Sequence, residues 1–508
     1  NVGKNSTGLR NVALGNEASQ NFYGQDSISI GTEANKFDQM TRGFGSVAIG
    51  KQTKTSADSA VALGQGAYVG IGTNKINQLT STAAASIAIG ANSAAYSDSS
   101  VAMGSGAQNY GATSIAIGTG SLVATGRSNI AIGTGATTSL DITGTYTDSS
   151  GNIAVGAGAK TSGNISTAVG TGAVARTLGS AFGSYAYALD DGSTALGNSS
   201  SAKGLAATAI GSYSRTLGWT GVALGESAVS TAHASAALGS GTFVSGVNSG
   251  VFGTTAATNT FHERDYAAGV AGSTNLSMVL ASNAYAIGNA NLIGSTSSGS
   301  FALGNNVKIG ADSATVTRTR TLVNGIYQDS YATAETGKQK ITDAVGIGNQ
   351  AEVWSTSGIA MGKGAIAGDK SNVRANAIAI GASTKATQKD ALAIGAGNTA
   401  AGQNSTVIGS ASSLDASSQS SSTLGSSNTG TAAVNALLLG NNNTISGSSA
   451  VSAIGGLNKA TGSVAASLTG IGNTMTNSSG SSVSGVGNTI TQTSGLNSAE
   501  QAAFAELM

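Results

Sequence analysis

Ser86-Ile87-Ala88-Ile89-Gly90, Ser114-Ile115-Ala116-Ile117-Gly118 and Ser46-Val47-Ala48-Ile49-Gly50 are copies of one tag: apolar, small, apolar, glycine. Twenty-eight such tags run through the 508 residues. From Gly183 their glycines fall at Gly197, Gly211, Gly225, Gly239 and Gly253, a step of 14 each time. A short fixed period means one structural unit stacked many times. In a strand, the two large residues of a tag share one face and the alanine takes the other. This reading puts Val and Ile inside a narrow roll, with Ala outside against a neighbour or solvent. The glycine then turns the chain, since positive φ costs it no Cβ clash. An alanine often follows three residues later, as at Ala67, Ala107, Ala159 and Ala173, and opens a second short strand.

Fourteen residues therefore make two strands and two turns. Such a coil buries three or four apolar side chains worth about 1.5–3 kcal/mol each. Ordering its backbone costs about 1–2 kcal/mol per residue. One coil cannot stand alone, so contacts between coils, and between chains, must supply the stability. The expectation is an all-β fold, a parallel β-roll (solenoid) of about 14-residue coils forming a rod. Side-by-side association of chains is the preferred reading, with a monomeric solenoid as the alternative.

Composition agrees: 75 Gly, no Pro, no Cys and 9% charged residues. The 40% hydrophobic residues recur in phase, which argues against a disordered Gly/Ser chain. A net charge of +1 gives no field for nucleic acid or anionic lipid, so neither is an expected partner. Without cysteine there is no disulfide or thiolate chemistry, which suits an exported protein. No signal peptide and no apolar run of about 18 residues stands out. The chain reads as soluble as it stands, or as a mature piece of something longer.

The tags resemble the YadA-like head repeat of trimeric autotransporter adhesins, over most of residues 11–490 and most closely from 86 to 253. The resemblance implies a left-handed parallel β-roll, a homotrimer associated along its rolls, and a bacterial cell-surface location. Its partners would be a host cell-surface or extracellular-matrix protein or glycan. Any membrane attachment would run only through a C-terminal anchor that is missing from this sequence, which also lacks a recognisable neck or heptad stalk. Similar repeats occur in phage tail fibres, so a structural fibre shaft is the alternative function.

Five interruptions break the period, at about 17–45, 65–85, 136–152, 254–284 and 305–345, and insertions in repeat proteins often mark the binding face. They divide the chain into a roll with loop insertions (1–304), a projecting insertion with a β-hairpin (305–345), a continuation with altered C-terminal coils (346–495) and a short helical tail or stalk start (496–508). The hairpin signal is Thr315 to Val323, then Asn324-Gly325, then Ile326-Tyr327, because Asn-Gly suits a type I′ turn. Arg318 and Arg320 share one strand face and Thr317, Thr319 and Thr321 the other. Arg318, Arg320 and Tyr327 would contact a receptor, or the arm would wrap a neighbouring protomer.

A second candidate surface lies inside the regular region. Tyr185 and Tyr213 follow their tag glycines by two, Tyr187 and Arg215 by four, and Asp191 and Trp219 by eight. Equal phase puts each pair in one column. Tyr, Trp and Arg are enriched at binding hot spots. Ligand binding through Tyr185, Tyr187, Tyr213, Arg215 and Trp219 stands beside the alternative that the rings pack at a seam between chains or over a turn.

Phe261-His262-Glu263-Arg264-Asp265-Tyr266 gathers metal-ligand types, but one histidine without a second ligand set at fixed spacing points to salt bridges instead. No Walker loop, HExxH, CxxC or GxSxG occurs, so no cofactor, metal or catalytic residue is expected and the chain reads as a non-enzyme. From Ser421 onward the tags drift and asparagine appears after the glycine, as at Asn441-Asn442-Asn443. This reads as the same roll with a thinner core and a turn ladder of amides.

Overall fold

The structure is a computed structural model that describes residues 2–78, 80, 82–140, 145–254, 269–274, 277–323 and 326–491, with backbone alone at 269–274 and 327. Of these, residues up to 234 with 269–270 and 319–330 form one compact unit, and the remainder form a second. The expected helical tail at 496–508 lies outside the described residues. Among the described residues there is no helix.

Both units are parallel β-solenoids built on the tags. Ile87–Ile89, Val101–Met103 and Ile115–Ile117 are strands in register, Ile87 against Val101 and Val101 against Ile115. Among the described residues 28 tag strands form, as many as the tags. A second ladder runs through Ala94–Ala95, Gln108–Asn109 and Leu122–Val123, also parallel. The tag ladder continues directly across three of the interruptions. Val61 pairs directly with Ile87, Ile130 with Ile153, and Phe301 with Val345.

The inside of the coil is the reverse of the expectation. Ala88, Ala102, Ala116 and Ala131 have no exposed surface, whereas the flanking Val and Ile side chains are half-exposed or exposed. Ala88, Ala95, Ala102 and Ala107 belong to one core cluster drawn from both ladders. The reason is width. Turns of about four residues hold the two ladders close together, and the tag alanine leaves the room that the second strand fills with Val69, Val123, Ile293 or Ile309. Branched side chains on both inner faces would overpack the coil.

The serine or asparagine that opens many tags has a separate task. Its strand begins at a corner where the backbone N–H needs an acceptor. Ser100 N–H donates to Ser86 Oγ at 3.0 Å, and Asn129 N–H to Ser114 Oγ at 3.0 Å. Asn152 N–H donates to Asn129 Oδ1 at 2.9 Å and Ser166 N–H to Asn152 Oδ1 at 3.0 Å. Buried polar columns therefore tie these coils together.

In the C-terminal coils the core does not thin out. Tag strands lengthen to five residues, as in Leu437–Asn441 and Ser452–Gly456, and register advances by 15. Leu438, Ile445, Leu468 and Met475 are fully buried. The amide ladder is present and complete. Asn458 Nδ2 donates to Asn443 Oδ1 (3.1 Å), Ile454 O (3.1 Å) and Gly470 O (2.9 Å), while its own Oδ1 accepts the Asn473 N–H at 3.1 Å. We expect Asn458→Ala to cost about 2–3 kcal/mol, since it strands the Asn473 N–H and the Gly470 carbonyl. Asn458→Asp should cost more, because a carboxylate would face three oxygens. Hydrogen exchange of strands 452–456 and 467–471 checks both.

The tag glycines form the tightest column. Gly90, Gly104 and Gly118 have φ of 126°, 129° and 125°. A methyl group on Gly90 would lie 2.7 Å from the Gly104 carbonyl, and one on Gly104 2.7 Å from that of Gly118. Gly106, two residues on, has φ of 66° and open space around it, and Asn92 takes the equivalent place one coil earlier at φ 55°. Gly104→Ala should therefore destabilise by more than ~3 kcal/mol. Gly106→Asn should change stability by less than ~1 kcal/mol. Denaturant midpoints of the two variants separate these outcomes.

Candidate functional site

The charged insertion is a hairpin, but its distal half does not project. Its strands are Ser313–Val323 and Ile326–Thr336, with the Asn324-Gly325 turn outside the described residues. Arg318 and Arg320 share a face as their alternation requires, and that face is the buried one. Ile326, Gln328 and Asp329 lie against the roll of their own chain. Ile326 packs with Val174, Tyr187 and Leu189, and Lys203 Nζ donates to Gln328 Oε1 at 3.1 Å.

At the centre of this contact sits Asp329, its side chain 3% exposed. Arg320 grips it with Nε on Oδ1 (2.7 Å) and a terminal nitrogen on Oδ2 (2.9 Å). Arg215 Nε reaches Oδ2 from the roll at 2.7 Å and spends a terminal nitrogen on the Ser199 and Ser214 carbonyls. Burial drives the Asp329 carboxyl up, but hydrogen bonds and charge from Arg320 and Arg215 outweigh it and hold it at about 2.

The equal-phase columns are real. Tyr187, Ser201 and Arg215 stand in one register line. Yet Tyr187 and Arg215 are buried with the arm of their own chain, so neither is displayed. Tyr185 and Tyr213 occupy left-handed turn positions with φ of 55° and 59°, and the Tyr185 ring lies over Gly172. Trp219 is exposed at the edge of a turn, edge-on to His233 at 4.9 Å. The Tyr327 side chain and residues 261–266 lie outside the described part. Among the described residues no cluster of His, Asp or Glu is arranged to hold a metal.

Two features escaped the sequence reading. Tyr96 and Tyr110, each six residues after a tag glycine, stack at 4.3 Å and 8°, and Tyr68 lies 5.6 Å from Tyr96. Their equal phase was the available signal. Burial first, with the neighbouring Tyr110, pushes the Tyr96 hydroxyl well above the ordinary tyrosine range. The loop that follows Tyr68 folds over this stack, with Lys75 Nζ 5.2 Å from the Tyr110 ring. The other feature is a notch of ≈380 Å³ on the outward tag face, where Ala236 and Gly250 stand in place of large residues beside Phe252, Tyr285 and Phe301.

Asp329 sets a pH dependence. A depressed carboxyl contributes in full above its unfolded range near ~4, and the contribution is lost as pH falls towards its folded value. Protection of residues 319–330, corrected for intrinsic exchange, should hold from neutral pH to about 4 and collapse between about 4 and 2. Asp329→Ala should abolish it at neutral pH at a cost of about 3–5 kcal/mol, because two buried guanidinium groups lose that carboxylate.

The YadA head domain repeat (2 copies) matches the chain at residues 42–67, 81–107, 179–200, 191–214, 375–398 and 386–412. No curated protein matches it. The match at 81–107 takes in the tag strands Ile87–Ile89 and Val101–Met103 and the strand Ala94–Ala95 between them. Matches fall in both compact units, and coils between matched segments, as at Ile153 against Thr167, repeat the same parallel register. The matched segments of the β-solenoid are similar to the YadA head domain repeat.

Proposed function

We propose that the chain is the extracellular head of a trimeric autotransporter adhesin, displayed on a bacterial surface as a homotrimer and binding host-surface or matrix ligands. The observation that carries this reading is the inverted coil. Because alanine fills the interior of the regular coils, many tags turn large aliphatic side chains outward, and these stack into uncharged columns such as Ile89, Met103, Ile117 and Ile132. Ile132 is 36% exposed and Leu196 45%. Completing the burial of one such side chain is worth about 1 kcal/mol, and the column supplies one per coil. A chain that leaves so much apolar surface half-covered is suited to lie against copies of itself. The YadA head repeats support the same assembly and favour an adhesive role over an enzymatic one. Three equivalent copies of each loop would then give avidity without tight single contacts. Under this reading the notch at Gly250 receives an aromatic side chain of the adjacent copy and sets the axial register.

The test has two parts. Sedimentation equilibrium should return three times the mass of the chain, and Ile89→Asp with Ile117→Asp should return the mass of one chain with its β circular dichroism intact. Beads coated with the native protein should then be retained on cultured epithelial cells or extracellular matrix. A wild-type monomer would refute the homotrimer. A trimer that retains neither surface would favour a phage-fibre shaft.

A further inference from the structure

Between the loop that follows Tyr68 and the turns of the next coils lies a groove of ≈480 Å³, lined by Asn74, Gln78, Thr80, Tyr110, Arg127 and Asp148 among others. Its walls are set before any ligand arrives. Asn74 Oδ1 accepts the N–H of Ile76 (3.0 Å) and of Gln78 (2.9 Å), and its own N–H donates to the Gln78 carbonyl at 2.8 Å. Thr80 Oγ1 bonds both the N–H and the carbonyl of Gly72. The buried Tyr110 ring, stacked on Tyr96, stiffens the floor. The site is therefore pre-organised, and little ordering entropy would be lost on binding.

Three side-chain heads on this rigid frame are unspent. Gln78 uses its Oε1 to accept from Asn74, but its amide nitrogen has no partner among the described residues. The Arg127 guanidinium and the Asp148 carboxylate likewise make no hydrogen bond or ion pair among the described residues. The groove thus offers a forked donor, a two-oxygen acceptor and an amide donor. A hydroxyl both donates and accepts, so adjacent hydroxyls of a sugar ring satisfy such a set without adding charge. An anionic ligand would meet Asp148, and a cationic one Arg127 and Lys75. The volume lies within the range of small-ligand sites and suits a short chain of sugar rings.

We infer that this groove binds a neutral oligosaccharide. The inference rests on the adhesin reading for its purpose and names the class of ligand. The intact protein would be applied to a printed panel of neutral, sialylated and sulfated oligosaccharides, and to epithelial cells. Neutral glycans should be retained, and Arg127→Ala, Asp148→Ala and Gln78→Ala should each weaken retention about tenfold or more, with Lys459→Ala unchanged. All three residues are on the surface, so melting temperature should match wild type and separate binding from folding. Retention of acidic glycans alone, of no glycan, or of neutral glycans by all variants alike overturns the inference. Cell adhesion that persists while no glycan binds overturns the groove but leaves the adhesin reading in place. Glycan binding without cell adhesion overturns the adhesin reading alone.

Discussion

The tag glycine is the constraint on which the structure depends. Its φ near +126° lies where side chains are excluded, and the position a Cβ would take is already filled by the next glycine carbonyl, as between Gly90 and Gly104. Each coil therefore requires glycine at this corner of its neighbour, and the requirement passes from Gly50 to Gly64 and on through the regular region. A repeat of this kind does not tolerate drift. Where the chain needs an insertion, it leaves and returns between tags and never within one, as Val61 paired with Ile87 shows.

From that corner follows the division of inside from outside. Close ladders admit only small residues on one inner face, so alanine takes the core and branched residues are turned out. The interior then has little apolar area per coil, and the shortfall is met by polar columns in which Ser86, Ser114, Asn129 and Asn152 accept backbone N–H groups of the next coil. Fully satisfied buried hydrogen bonds of this type fix register, because a slip would orphan every member. Where the coil grows to 15 residues, Leu and Met return to the core and asparagine forms a second column three residues after the tag glycine.

The arm shows how tertiary contact redirects a sequence signal. Arg318, Arg320, Tyr187 and Arg215 carry the residue types of a binding surface, yet at least three of them are spent within the chain, two on one carboxylate and one beneath Ile326. Asp329 had no distinguishing context in the sequence. Its role arises because a hairpin strand brings it onto a coil more than a hundred residues earlier. The groove beside Tyr110 is hidden for the same reason: Gln78, Arg127 and Asp148 come from three separate stretches.

Period, strand class and parallel stacking were legible in the sequence because they depend on local spacing, which a fixed step of glycine and alternating residues records directly. The equal-phase columns were legible too, since register in a solenoid is arithmetic. Which face of Ser86-Ile87-Ala88-Ile89-Gly90 points inward was not, because alternation defines two faces and leaves their assignment open. The distance between ladders decided it, through turns too short to hold branched residues on both sides. Only the folded chain placed the arm, since the burial of Asp329 between Arg320 and Arg215 depends on a long-range contact that no local pattern encodes.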